Sequence, residues 1–150
     1  MRWFDAVAPV RMRRVAVVAP ADALRDVLVR MADAASVEID DSSLEQAAPG
    51  QAARRLQHAG QAPPEPTLSA VRPDLDRLER AGRYDLLAGE AQLEGYAAEA
   101  VSRSGAAALA GWVPAERLAA LAAALAEVGG ALGGSWPSGP WSSPTPPICR

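Results

Sequence analysis

The sequence contains no lysine; all 15 of its basic residues are arginine. A Walker-type nucleotide site needs a lysine behind its glycine-rich loop to meet the phosphates, so that class of hydrolase is excluded for this chain. Cysteine and histidine are nearly as scarce, with Cys149 and His58 the single instance of each. A lone cysteine builds no internal disulfide, and together with one distant imidazole it falls short of the ligand set of a zinc site. A Ser-His-Asp or Cys-His mechanism would have to use His58, which stands in a polar stretch just before Gly60, where an exposed histidine at a helix end is the expectation. Long apolar runs are also lacking. None approaches the roughly 20 residues of a membrane-spanning helix, and Asp5 stands where a signal peptide would begin its apolar stretch, so the chain is expected to be neither secreted nor inserted. A net charge of −3 gives no general attraction for phosphate polymers, and nucleic acid is not an expected partner.

What is present is globular: 150 residues with 49% hydrophobic and 22% charged side chains suit one domain with a real core. Val15-Ala16-Val17-Val18 is a short strand-like run, after which apolar residues recur at helical spacing and Val37-Glu38-Ile39 alternates. This predicts a strand, helix, strand unit in which Pro20 takes the first helical position and Leu24, Val27, Leu28, Met31 and Ala35 form one buried face. A second unit begins at Ala106. There Ala106 to Ala110 leads through Gly111-Trp112-Val113-Pro114 into a helix with Leu118, Leu121, Leu125 and Val128 on one side, stopped by Gly129-Gly130 and followed by a weak strand at Ala131-Leu132. Laid with Pro20 on Pro114, the two units match without a gap at Leu24/Leu118, Val27/Leu121 and Met31/Leu125. Two such halves predict an α+β fold of the split βαβ (ferredoxin-like) type, an antiparallel sheet with two helices on one face and a helical hairpin inserted between the halves.

The expected organisation is an N-terminal arm over 1–11, one α+β domain over 12–134 and a Pro/Ser/Trp-rich disordered tail over 135–150. Within the domain, 12–40 is the first half, 41–105 the insertion and 106–134 the second half. The insertion reads as helices from Pro49 to Ala59, Pro73 to Ala81 and Arg83 to Ser104, each closed by a glycine, with a proline-rich loop from Gln61 to Val71. Leu86, Leu93 and Ala100 are seven apart in the longest piece, which allows a coiled-coil-like seam about 30 Å long.

Few residues suggest chemistry. The glycines at 129–134 follow a helix instead of preceding one, so no helix N-terminus is aimed at an anion there. Asp40-Asp41 and the pair Glu90 and Glu94 read as turn caps and solvated helix faces, not as an acid and base around an apolar cleft. Arg11, Arg13 and Arg14 flank the first strand, where charge blunts an edge and keeps the strand soluble. Trp112 is expected in the core, covering one end of the sheet. No catalytic residue, cofactor or metal is expected.

Three stretches carry a resemblance: Pro9 to Pro20, Leu86 to Glu94, and Ala110-Gly111-Trp112-Val113-Pro114. In this order they resemble the N-terminal cytoplasmic region of V-type ATPase subunit I, in its short actinobacterial form. Gly111, Trp112, Val113 and Pro114 before an amphipathic helix are the most specific element. The resemblance implies a noncatalytic stator domain at the inner face of the membrane, docking peripheral-stalk subunits in a proton-translocating rotary ATPase with no membrane contact of its own. The 65 residues from Asp41 to Gly105 hold only a short hairpin, not the extended hairpin and second lobe of longer members. Beyond Gly134 the family's continuation toward membrane helices is lost, so the chain is expected to be a truncated form or fragment. The alternative is a small-molecule-sensing domain of the ACT type, although Ala19-Pro20-Ala21 replaces the glycine that admits a ligand to the first helix in such domains.

Overall fold

β-branched and alanine-rich runs become central strands, and the leucine-periodic segments become the helices that cover them. The computed structural model describes residues 9–34, 37–39, 48–60, 62 and 64–136. In chain order the elements are β1 (Met12–Pro20), α1 (Leu24–Ala34), β2 (Glu38–Ile39), α2 (Gln51–Ala59), α3 (Leu75–Arg80), α4 (Tyr84–Glu99), β3 (Val101–Arg103), β4 (Ala106–Pro114), α5 (Leu118–Ala126) and β5 (Ala131–Trp136). The strands form one antiparallel sheet of order β2-β4-β1-β5, with β3 also paired to β4, in line with β2. The architecture is α+β, and this strand order is that of the split βαβ arrangement.

β1 and β4 pair along their whole length, from Met12 opposite Pro114 to Pro20 opposite Ala106. Val15 to Val18 therefore lie beside Ala108 to Gly111. Both strands end in a proline, and both following helices begin four residues after it, at Leu24 and Leu118. Ala16 pairs with Ala110, and each stands four residues before its strand's proline, so a pseudo-twofold axis passes between them. Val15, Val17 and Ala19 alternate with Ala107, Leu109 and Val113 on the face toward α1 and α5, where they meet Leu24, Val27, Leu28, Met31, Leu121 and Leu125. Leu118 and Val128 pack at the margin of this core. Ala35 lies outside the described residues, as do Asp40, Asp41, Trp141 and Cys149.

Several boundaries differ from the sequence reading. Pro20 ends a strand instead of opening a helix, and Pro114 ends another, because at the end of a ladder a missing N–H costs no central hydrogen bond. Gly111 to Pro114 are correspondingly the second half of β4. The third insertion helix stops at Glu99, not Ser104: Val101 to Arg103 turn back on β4 through Ser104-Gly105, both at positive φ (51° and 80°), as a type I′ hairpin requires. β5 runs past the weak strand expected at Ala131-Leu132, through its glycines to Trp136, as an edge beside β1 with a register shift between Arg14 and Ala16. The 16-residue α4, about 24 Å long, lies back against α1 on one side and α2 and α3 on the other. There Leu87 joins Ala52 and Leu78 in a second small core.

Candidate functional site

Strand alternation decides where the Gly-Trp-Val-Pro element points. Val113 faces the helices and is fully buried. Gly111 faces the same way beneath β2: a Cβ there would stand 2.8 Å from the Glu38 carbonyl oxygen, so only glycine lets this short strand close onto β4. Trp112 has the opposite parity. It lies half-buried on the open face of the sheet, opposite Arg14 on β1 and Glu38 on β2, and is not part of the core. The expectation of a core tryptophan is thereby corrected; a residue between two inward positions of a strand has to point outward. Pro114 closes the strand ahead of a 3-10 turn, Ala115–Arg117.

The most strongly constrained polar group is one the sequence reading assigned to solvent. Glu90 on α4 is only 7% exposed and meets Arg25 of α1, itself 8% exposed. Arg25 Nε donates to Glu90 Oε2 at 3.0 Å, while Nη2 donates to Glu90 Oε1 and, at 3.0 Å, to the Ser69 carbonyl. Nη1 is 3.6 Å from Asp26 Oδ1 but has no hydrogen bond of its own. The hydrogen bonds to Glu90 raise the Arg25 pKa above its ordinary value despite burial, so the guanidinium stays charged. One signal was available: Glu90 lies three residues from both Leu87 and Leu93 on the apolar stripe of its helix, and Arg25 adjoins Leu24, Val27 and Leu28.

Neighbouring contacts extend the joint. One turn on, the Glu94 carboxylate accepts from the Ala52 N–H at 2.9 Å, so it serves as an N-terminal cap for α2 supplied by another helix. Gly89 lies against the loop before α3, where a Cβ would stand 2.0 Å from the Thr67 carbonyl oxygen; that loop is also held by Thr67 N–H donating to the Asp85 carbonyl. Arg55 of α2 bridges to Asp76 and Glu79 of α3, both at 2.6 Å. Arg83 binds Asp85 through two hydrogen bonds, holding that carboxyl down to about 2 from its ordinary 3.8.

Two clefts adjoin these elements. One of about 530 Å³ lies between α1, β2 and α4, with Met31, Ile39, Leu68 and Tyr96 in its wall and Glu38 and Gln92 on it. The other, about 420 Å³, lies beside the Arg25–Glu90 pair and Arg72. His58 is exposed in the last turn of α2, as its context predicts. Among the described residues no three His, Cys, Asp or Glu side chains converge as a metal site, and no helix is long and apolar enough to cross a membrane. Compared with known proteins, the chain matches no family model, no curated protein and no solved structure.

Proposed function

We propose that this chain is a noncatalytic docking domain of a V-type ATPase stator, placed on the cytoplasmic side of the membrane and binding peripheral-stalk subunits. The observation that carries this reading is the joint between insertion and lobe. Arg25 with Glu90, the Glu94 cap and the Gly89 seat tie α2, α3 and α4 to α1 through charged hydrogen bonds and close backbone contact. Through these contacts a force applied to the insertion reaches the sheet by way of α1, which is what a stator element has to do. The subunit I resemblance of Pro9 to Pro20, Leu86 to Glu94 and Ala110 to Pro114 gives the reading its partner class. The test is direct binding of the purified chain to stalk subunits encoded in the same genome. A folded chain that binds none of them at micromolar concentration overturns it.

The sensing alternative has the strand order in its favour, together with the cleft of about 530 Å³. Against it, the Ala21 N–H at the turn from β1 into α1 already donates to the Gly105 carbonyl at 2.9 Å, so it is not free to meet a ligand. A melting temperature raised by a free amino acid or nucleotide would favour this alternative.

A further inference from the structure

A guanidinium carries N–H donors at all three of its nitrogens, and a donor left without an acceptor away from water is costly. Arg25 is only 8% exposed. It uses Nε and Nη2 on Glu90 and the Ser69 carbonyl, yet Nη1, shielded from solvent, has no hydrogen bond. The contact of Nη1 with Asp26 Oδ1, at 3.6 Å, is too long to be one. Arg25 also lines the cleft of about 420 Å³, and a second guanidinium, Arg72, lines it from an exposed position. Arg72 forms no ion pair with a described residue. The two arginines are neighbours in the fold, because Arg25 Nη2 lies 3.5 Å from the carbonyl oxygen of Val71, the residue before Arg72.

We propose that this cleft binds a small oxyanion, a carboxylate carried on a short apolar body, between Arg25 and Arg72. The two carboxylates of the cleft wall are already engaged. Glu90 is held by Arg25, and the oxygens of Glu94 lie 2.9 and 3.2 Å from the Ala52 N–H that they cap. Arg72 is left as the cation of the cleft without a described counterion, and a guanidinium meets a carboxylate through two parallel N–H bonds. Nη1 of Arg25 supplies a further donor; because it is closed to bulk water, the acceptor that reaches it has to be compact and to enter through the cleft. Leu75, Leu93 and Ala97 make the rest of the wall apolar, which suits a body of a few carbons better than a bare ion. The site brings together α1, α2, α4 and the loop ahead of α3, so its occupant ties the insertion to the lobe. It needs no stalk subunit and stands apart from the stator reading.

The test uses the full chain, with isobutyrate, acetate and inorganic phosphate as probes and ionic strength held constant with chloride. Isobutyrate at about ten times its dissociation constant should raise the melting temperature by about 3 to 6 °C. Acetate, which lacks most of the apolar body, should bind more weakly. Arg72→Gln, at an exposed position, should leave the ligand-free melting temperature nearly unchanged and weaken isobutyrate at least about tenfold in calorimetry. Arg103→Gln, an exposed arginine outside the cleft, should bind isobutyrate as the wild-type chain does. Phosphate binding more tightly than isobutyrate and depending equally on Arg72 would make the occupant an inorganic oxyanion and overturn the apolar body. A rise of the same size in the wild-type chain and Arg72→Gln would be a general salt effect and would overturn the site, as would no rise with any probe. Neither result bears on binding to stalk subunits, so the two readings fail separately.

Discussion

Replacing Glu90 by glutamine tests the joint at its most sensitive point. The carboxylate accepts from Arg25 through both oxygens, at Nε and Nη2, and both side chains are more than nine-tenths buried. In Glu90→Gln one acceptor becomes an NH₂ donor facing a guanidinium, and the buried arginine keeps only the longer contact to Asp26, at 3.6 Å. Breaking one half of a buried ion pair costs about 3 to 5 kcal/mol. In a chain of this size each kcal/mol moves the melting temperature by about 2 to 4 °C, so a fall of about 6 to 20 °C is expected. The double replacement Arg25→Met, Glu90→Leu removes both charges and should cost far less, about 1 to 2 kcal/mol, most of it from the Ser69 carbonyl losing its donor. Urea unfolding followed by circular dichroism, with the m-value checked for constancy, measures all four corners of the cycle. A loss below about 1 kcal/mol for Glu90→Gln, or a double variant as unstable as the two single losses summed, would refute the claim that the pair fixes the insertion.

Three further outcomes follow from local geometry. Gly111→Ala drives a methyl group to within 2.8 Å of the Glu38 carbonyl and should cost about 1 to 3 kcal/mol, with faster amide exchange at Glu38 and Ile39 as the specific readout. Ser104→Asn creates an Asn-Gly pair at two positive-φ positions and should stabilise the β3–β4 hairpin by about 0.5 kcal/mol, visible as a small rise in melting temperature. Asp85 titrates in the native state near 2 instead of 3.8, so its contribution is complete above about pH 4 and is lost as pH falls toward 2. Asp85→Asn should flatten that part of the acid-unfolding curve by lowering stability at neutral pH while leaving stability near pH 2 nearly unchanged.

Residues whose role follows from periodicity were legible in the sequence. Leu24, Val27, Leu28 and Met31 read as one helical face and are all buried. The match of Pro20 with Pro114 gave the paired halves even though Pro20 was placed one element too late. What escaped were features fixed by alternation phase or by a distant partner. Trp112 was judged by size, whereas the inward places beside it belong to Gly111 and Val113. Glu90 was judged by charge, because its partner lies 65 residues away. The early stop of α4 was hidden because helix propensity at Val101 gives way to pairing with Ala108, a competition local pattern cannot weigh.

Both neighbours of β1 in the sheet, β4 and β5, come from beyond residue 100. This valine-rich strand therefore leaves the ribosome long before either partner exists, and it must wait with two unpaired edges while the intervening helices are made. Arg11, Arg13 and Arg14 at its start discourage association between nascent chains during that interval. Because closure of the central pair comes late and spans most of the molecule, folding should be slow for a protein of this helix content. Prior assembly of α2, α3 and α4 shortens the loop that has to be closed.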